Sequence, residues 1–221
     1  MLLNYLFANF QEERDIASAA NLSAEALGDL IEARLMPSAS YVVDGEARSL
    51  SFVSRYRDDA VYRFHLKGHL EWIEALSRLS LGSEARARDY FEHRYHLAKA
   101  TFLSGDLGRD LAALLPEVPE GFDSRRAEAT WDRFLKGVYG VCTRDGRPET
   151  IFLKQAGVDF IERLTASGPA DLTGEELRLL ARAVDFLDRV ESDFAPHEVA
   201  QASRQRCIID VRARFLSDLA A

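Results

Sequence analysis

The 221 residues predict a mainly α-helical protein: a small helix-turn-helix unit with a β-hairpin over residues 1–80, then a helical domain over residues 81–221. Three observations carry this. Apolar residues recur at helical spacing through most of the chain. Strand-like runs rich in Val, Tyr and Phe are confined to residues 40–65. The helical segments have recognisable ends, the clearest being the capping box Thr173-Gly174-Glu175-Glu176.

Taken in order, Asn4–Phe10 is a short helix and residues 12–20 a second. Asn21-Leu22-Ser23 is a turn, and Ser23 caps a helix over 24–35 whose apolar face is Ala26, Leu27, Leu30, Ile31 and Leu35. Pro37 stops it. Ser40–Val43, a turn at Asp44-Gly45, Ser51–Tyr56 and Val61–His65 read as three short strands, and Gly68–Leu79 as a helix with Leu70, Ile73, Leu76 and Leu79 inward. Ser83–Ser104 is one helix with Phe91, Tyr95, Ala98 and Phe102 buried. Residues 105–124, punctuated by Gly and Pro, read as a loop linking the two halves. Helices follow over 125–136, from Pro148 to about 166, from Thr173 past Val190, and from His197 to about Leu219.

The succession of helix, turn, helix and β-wing, carried by Glu13–Pro37 and the Tyr62-Arg-Phe-His65 strand, resembles the winged helix-turn-helix of mercury-resistance-type regulators over roughly residues 10–80. That resemblance implies DNA binding, but the charge opposes it. Residues 1–50 hold eight carboxylates against three arginines. The exposed positions of helix 24–35 offer Glu25, Asp29 and Glu32, where a reader of DNA presents donors to base edges and cations to phosphates. DNA is therefore disfavoured as a partner, and a small molecule or a partner protein is expected instead.

The net charge of −8 likewise gives no global pull toward nucleic acid or anionic membranes. Only four of the 28 basic residues are Lys, read mainly as a GC-rich bacterial coding bias, with phosphate or carboxylate recognition by Arg as the weaker alternative. Cys142 and Cys207 are isolated thiols without zinc spacing, which suits a reducing cytoplasm. The apolar start MLLNYLFANF lacks the features of a signal peptide, and no apolar run approaches the roughly 20 residues that span a bilayer. The oligomeric state and any cofactor are left unknown.

Three places carry candidate chemistry. Asp89, His93 and His96 share a helix face, a possible metal half-site or simply a solvated face. Gly137 and Gly140 flank Tyr139 just before Cys142, a spot where the backbone can be approached closely; Cys142 is a candidate nucleophile or a buried apolar thiol. His197 and Glu198 open the last helix, where the dipole disfavours imidazolium and favours carboxylate, and Arg204 lies seven residues on. An acid–base His with an Arg holding an anionic substrate fits that face; helix capping and surface ion pairs fit it equally.

Met1–Phe10, Arg34–Tyr41, Thr130-Trp131 through Tyr139–Thr143, and Phe194-Ala-Pro-His-Glu198 with Ser203-Arg204 and Ile209–Arg212 resemble a bacterial family of natural-product biosynthesis proteins of unknown function. The resemblance implies a broad role in secondary metabolism and no particular reaction, cofactor or catalytic residue. With the candidate residues above it leads to a small enzyme or a ligand-binding accessory, with His197, Glu198 and Arg204 lining its site together with Tyr139 and Cys142. The alternative is an interaction scaffold. A DNA-binding regulator ranks third.

Overall fold

A computed structural model describes residues 2–217 of the chain. It is mainly helical, with one small antiparallel sheet. The N-terminal part runs α1 (Leu2–Asn9), β1 (Phe10–Glu12), α2 (Glu13–Ala19), α3 (Ala24–Glu32), β2 (Tyr41–Leu50) and β3 (Arg55–Leu66). The sheet order is β1-β3-β2, with Phe10 opposite Leu66 and Tyr41 opposite Phe64. Ser23 caps α3 by accepting from the Ala26 N–H, as its sequence position demands.

The hairpin departs from expectation. Its turn is Ser51–Ser54, not Asp44-Gly45; Gly45 sits within β2 opposite Ala60. The Ser51 hydroxyl accepts from the Val53 and Ser54 N–H groups and so closes the loop. Two strands of 10 and 12 residues replace the three short ones expected. The three-residue β1 was hidden at the junction of two predicted helices.

The helical part comprises α4 (His69–Arg78), α5 (Glu84–Ser104), α6 (Asp106–Leu114), α7 (Glu117–Glu120), α8 (Ser124–Leu135), α9 (Val138–Cys142), α10 (Pro148–Leu164), α11 (Gly174–Val190) and α12 (Asp210–Phe215). Asp106–Leu114 and Glu117–Glu120, expected as loop, are helical. Gly108 is there not as a breaker but because a Cβ would meet the Phe102 carbonyl, so α6 packs tightly on the end of α5. The capping box at Thr173 and Glu176 is formed.

The expected continuous helix from His197 is interrupted. Residues Val199–Gln201 form a 3-10 turn, Ala202 is extended, and Gln205–Ile209 is a π-turn before α12. The extended Ala202 breaks the register, so a spacing of seven does not set His197 and Arg204 on one helix face. The end of that predicted helix, at Leu219, lies outside the described residues.

One apolar core joins both parts. Ile16, Leu27, Met36 and Trp72 belong to the same cluster as Phe91, Trp131, Phe134, Phe152, Leu187 and Ile208. Its centre is aromatic: the Trp72 and Phe91 rings each lie 4.9 Å from Phe134, and Trp72 Nε1 donates to the Leu35 carbonyl at 2.7 Å. Such pairs add about 0.5–1.5 kcal/mol each beyond burial, which clamps α4, α5 and α8 together. A smaller cluster of Leu6, Phe10, Phe64 and Leu66 fixes α1 on the sheet.

His69 opens α4 with only 1% of its surface exposed, edge-on to Phe134. Among the described residues neither of its ring nitrogens has a hydrogen-bond partner. Burial, and His65 beside it, hold its pKa down to about 3.

Candidate functional site

The best-furnished concavity is a groove of about 540 Å3 between α8, α9 and α10. Helix α8 contributes Arg126, Thr130 and Arg133, α9 contributes Tyr139 and Cys142, and α10 contributes Lys154, Gln155 and Asp159. Gly137, at φ 73°, lets the chain reverse between α8 and α9. That reversal swings Tyr139 and Cys142 back against α10.

Gln155 is the fixed point. Its Oε1 accepts from the Tyr95 hydroxyl at 2.6 Å, while its Nε2 donates to the Tyr139 hydroxyl at 2.6 Å and to Thr130 Oγ1 at 3.1 Å. With both ends of the amide engaged, the wall is preorganised. Burial pushes the Tyr139 phenol up, so it stays a neutral hydrogen-bonding group at physiological pH.

The charges are unusual for so acidic a chain. Three cations and one carboxylate line the groove. Arg126 pairs with Asp159, whereas Arg133 has no ion-pair partner among the described residues. Lys154 is only 14% exposed and points back toward Glu191 Oε1, 3.7 Å away. Glu191 is fully buried and accepts from the Ser203 hydroxyl, while its Oε2 has no partner among the described residues. Burial pushes the Glu191 carboxyl above the usual range, while Ser203, Lys154 and Arg204 pull it the other way. A concave, positively lined site in a negative molecule focuses field on anions.

The sulfur of Cys142 lies beside the Val138 carbonyl at 3.6 Å. Burial pushes its thiol up, with Lys154 pulling the other way, so the protonated form dominates near neutral pH. Cys207 is buried and pushed up to about 12, and both cysteines are free.

Of the residues singled out from sequence, Tyr139 and Cys142 therefore meet in the groove. The others lie elsewhere. The His197 side chain is 61% exposed, 4.0 Å from Glu198. Glu198 accepts from the Tyr41 hydroxyl at 2.5 Å and from the Ala195 N–H at 3.3 Å, tying the C-terminal turn to the sheet. Arg204 is held by Asp188 at 2.8 Å, in an open cleft shared with Arg144 and Arg212. Asp89, His93 and His96 are exposed on α5, and among the described residues no group of three His, Cys, Asp or Glu side chains is placed to hold a metal.

Arg126, Arg133, Lys154 and Gln155 were not singled out from sequence. One signal was available: Lys154 and Gln155 interrupt the buried run Ile151, Phe152, Ala156, where polar residues on an inward face need partners. A larger cleft of about 760 Å3 separates α6 from α11, but its Arg182 is paired with Asp110 and its Glu176 caps a helix.

The fold and groove define a helical protein with an anion-compatible site. Residues 87–216 match a family of unknown function (DUF6058), and the chain belongs to that family. The matched segment contains the whole groove together with Glu191 and Ser203. No curated protein and no solved structure matches the chain. Among the described residues no helix is long and apolar enough to cross a membrane.

Proposed function

We propose that this protein binds a small anionic molecule in the groove between α8, α9 and α10. The observation that carries the reading is the convergence of Arg126, Arg133 and Lys154 on a wall fixed by Gln155, in a chain of net charge −8. Arg suits phosphate or carboxylate through its planar fork. The protonated state of Cys142 favours binding over nucleophilic attack by that thiol. A setting in natural-product biosynthesis, implied by the sequence resemblance, is part of this proposal; the groove chemistry does not depend on it.

Thermal unfolding in rising pyrophosphate and citrate tests the reading. A ligand that binds only the folded state at 100 times its dissociation constant adds about 2.7 kcal/mol of stability. We expect the midpoint of wild type to rise and that of Arg133→Glu to stay put. A midpoint indifferent to both anions, in wild type, removes the proposal.

A second reading, an interaction module, is favoured by the N-terminal part. We read it as a winged helix-turn-helix-like unit spanning about residues 1–80, supported by its element order and by the sheet order β1-β3-β2. Its α3 is a poor DNA reader. Arg34 is taken up by surface ion pairs with Glu84 at 2.7 Å and Asp132 at 2.9 Å, while Glu25, Asp29 and Glu32 are exposed. Retention on duplex DNA in low salt, lost on raising it, is the result that would restore the regulator reading.

A further inference from the structure

The β2–β3 ribbon is built in a way its own chain does not explain. Residues 44–57 are all exposed, so the distal ribbon stands in solvent on both faces. Two-stranded ribbons of this kind are marginal alone in water. β2 is also an edge strand of 10 residues with no Pro and no Lys, lacking two of the usual protections of a free edge.

Its charges are arranged against the monomer. Glu46 stands directly opposite Asp59, and Arg48 directly opposite Arg57. Like charges facing each other across a pair of strands are destabilising. Within the chain the strain is relieved by Glu46 taking Arg48, two residues along its own strand, and Arg57 on the diagonal, and by Arg57 reaching Asp59 at 3.6 Å. The ribbon thus carries one acidic row, Glu46 and Asp59, beside one basic row, Arg48 and Arg57.

We propose that β2 pairs antiparallel with β2 of a second copy, about a two-fold axis at Ala47. In a continuous sheet formed this way, residues of one face meet residues of the same face. Centring on Ala47 sets Glu46 of each chain opposite Arg48 of the other. The rows then read Arg57, Arg48, Glu46, Asp59 across the four strands, basic half against acidic half. Centring on Glu46 or on Arg48 would set that residue against its own copy. The same register carries the exposed Val42, 60% accessible, toward the fully exposed Phe52 at the partner's hairpin tip.

Sedimentation velocity on the full chain across the micromolar range tests this. Wild type is expected to form a reversible dimer. Arg48→Glu and Glu46→Arg should each raise the dissociation constant by about tenfold or more, because both symmetry-related rows reverse sign. Mixing these two variants should restore association as a heterodimer, and the double swap E46R/R48E should dimerise by itself. Misfolding is not a confounder for Arg48→Glu, since it gives Arg57 an opposite charge across the ribbon and supports the isolated hairpin; circular dichroism checks this directly. Wild type that stays monomeric, single variants that dimerise as wild type does, or variants that fail to associate when mixed each overturn the proposal. So does a monomer whose ribbon binds anionic vesicles or duplex DNA instead.

Discussion

Replacing His69 by Leu should make the fold markedly more tolerant of acid. The imidazole is sealed beneath Phe134, and among the described residues both its nitrogens lack partners. Its pKa is about 3 in the folded protein against the ordinary 6.5. A depressed His pKa means that the unfolded chain takes the proton first. Stability is therefore complete above about pH 6.5 and falls as pH drops through the window between the two values. At pH 5 the separation from 6.5 is about 1.5 pH units, equivalent to about 2 kcal/mol. Urea unfolding at pH 7.5 and pH 5 should show wild type losing about 2 kcal/mol more than His69→Leu over that interval. Any packing cost of the substitution is the same at both pH values and cancels. Equal losses in the two proteins would refute the argument, and would mean that the folded protein can protonate or solvate that ring.

Other substitutions probe the groove's supports. Gly137→Ala should destabilise by more than 1 kcal/mol, since φ is 73° and the new Cβ would sit 2.5 Å from the Ser38 carbonyl; chemical denaturation measures it. Glu191→Gln should be neutral or stabilising at pH 8, because a carboxyl with a raised pKa loses stability as pH climbs past its unfolded value. A large loss of stability at pH 8 would mean that the ionised form is needed. Tyr41→Phe should cost about 1 kcal/mol by removing the bond to Glu198 while leaving the groove's anion response intact. A changed anion response would place that turn within the site.

The helices were legible where apolar period and end chemistry agree. Thr173 with Glu176 marks α11, Pro148 opens α10, and Ser83 and Ser23 cap their helices as read. Reading failed where punctuation has a tertiary cause. Gly108 looks like a loop residue until the Phe102 carbonyl is seen beside it. Asp44-Gly45 is a good hairpin turn by composition, but the β2–β3 register runs through it to Ser51. The break at Ala202 left no mark in the sequence, so the His197–Arg204 face was inferred on a helix that is not continuous.

The site was legible only in part. Tyr139 and Cys142 were found because two glycines frame that segment. Arg126 and Arg133 were missed because each reads as an unremarkable cation on its own helix, and Lys154 because its place within a buried run was passed over. They become a site only when α8 and α10 close on each other through Gln155. His69 was missed for the opposite reason: as the first residue of a helix it reads as exposed, and only the seal of Phe134 and the 145–146 loop makes it buried.

The central claim is that the α8–α9–α10 groove receives a small anion. Its most direct test is calorimetric titration of pyrophosphate into wild type, into Arg133→Glu, and into Arg182→Glu in the outer cleft between α6 and α11. The account predicts saturable binding to wild type, the same affinity in Arg182→Glu, and a loss of about tenfold or more in Arg133→Glu. Binding that survives Arg133→Glu but is lost in Arg182→Glu would place the anion in the outer cleft and contradict the account.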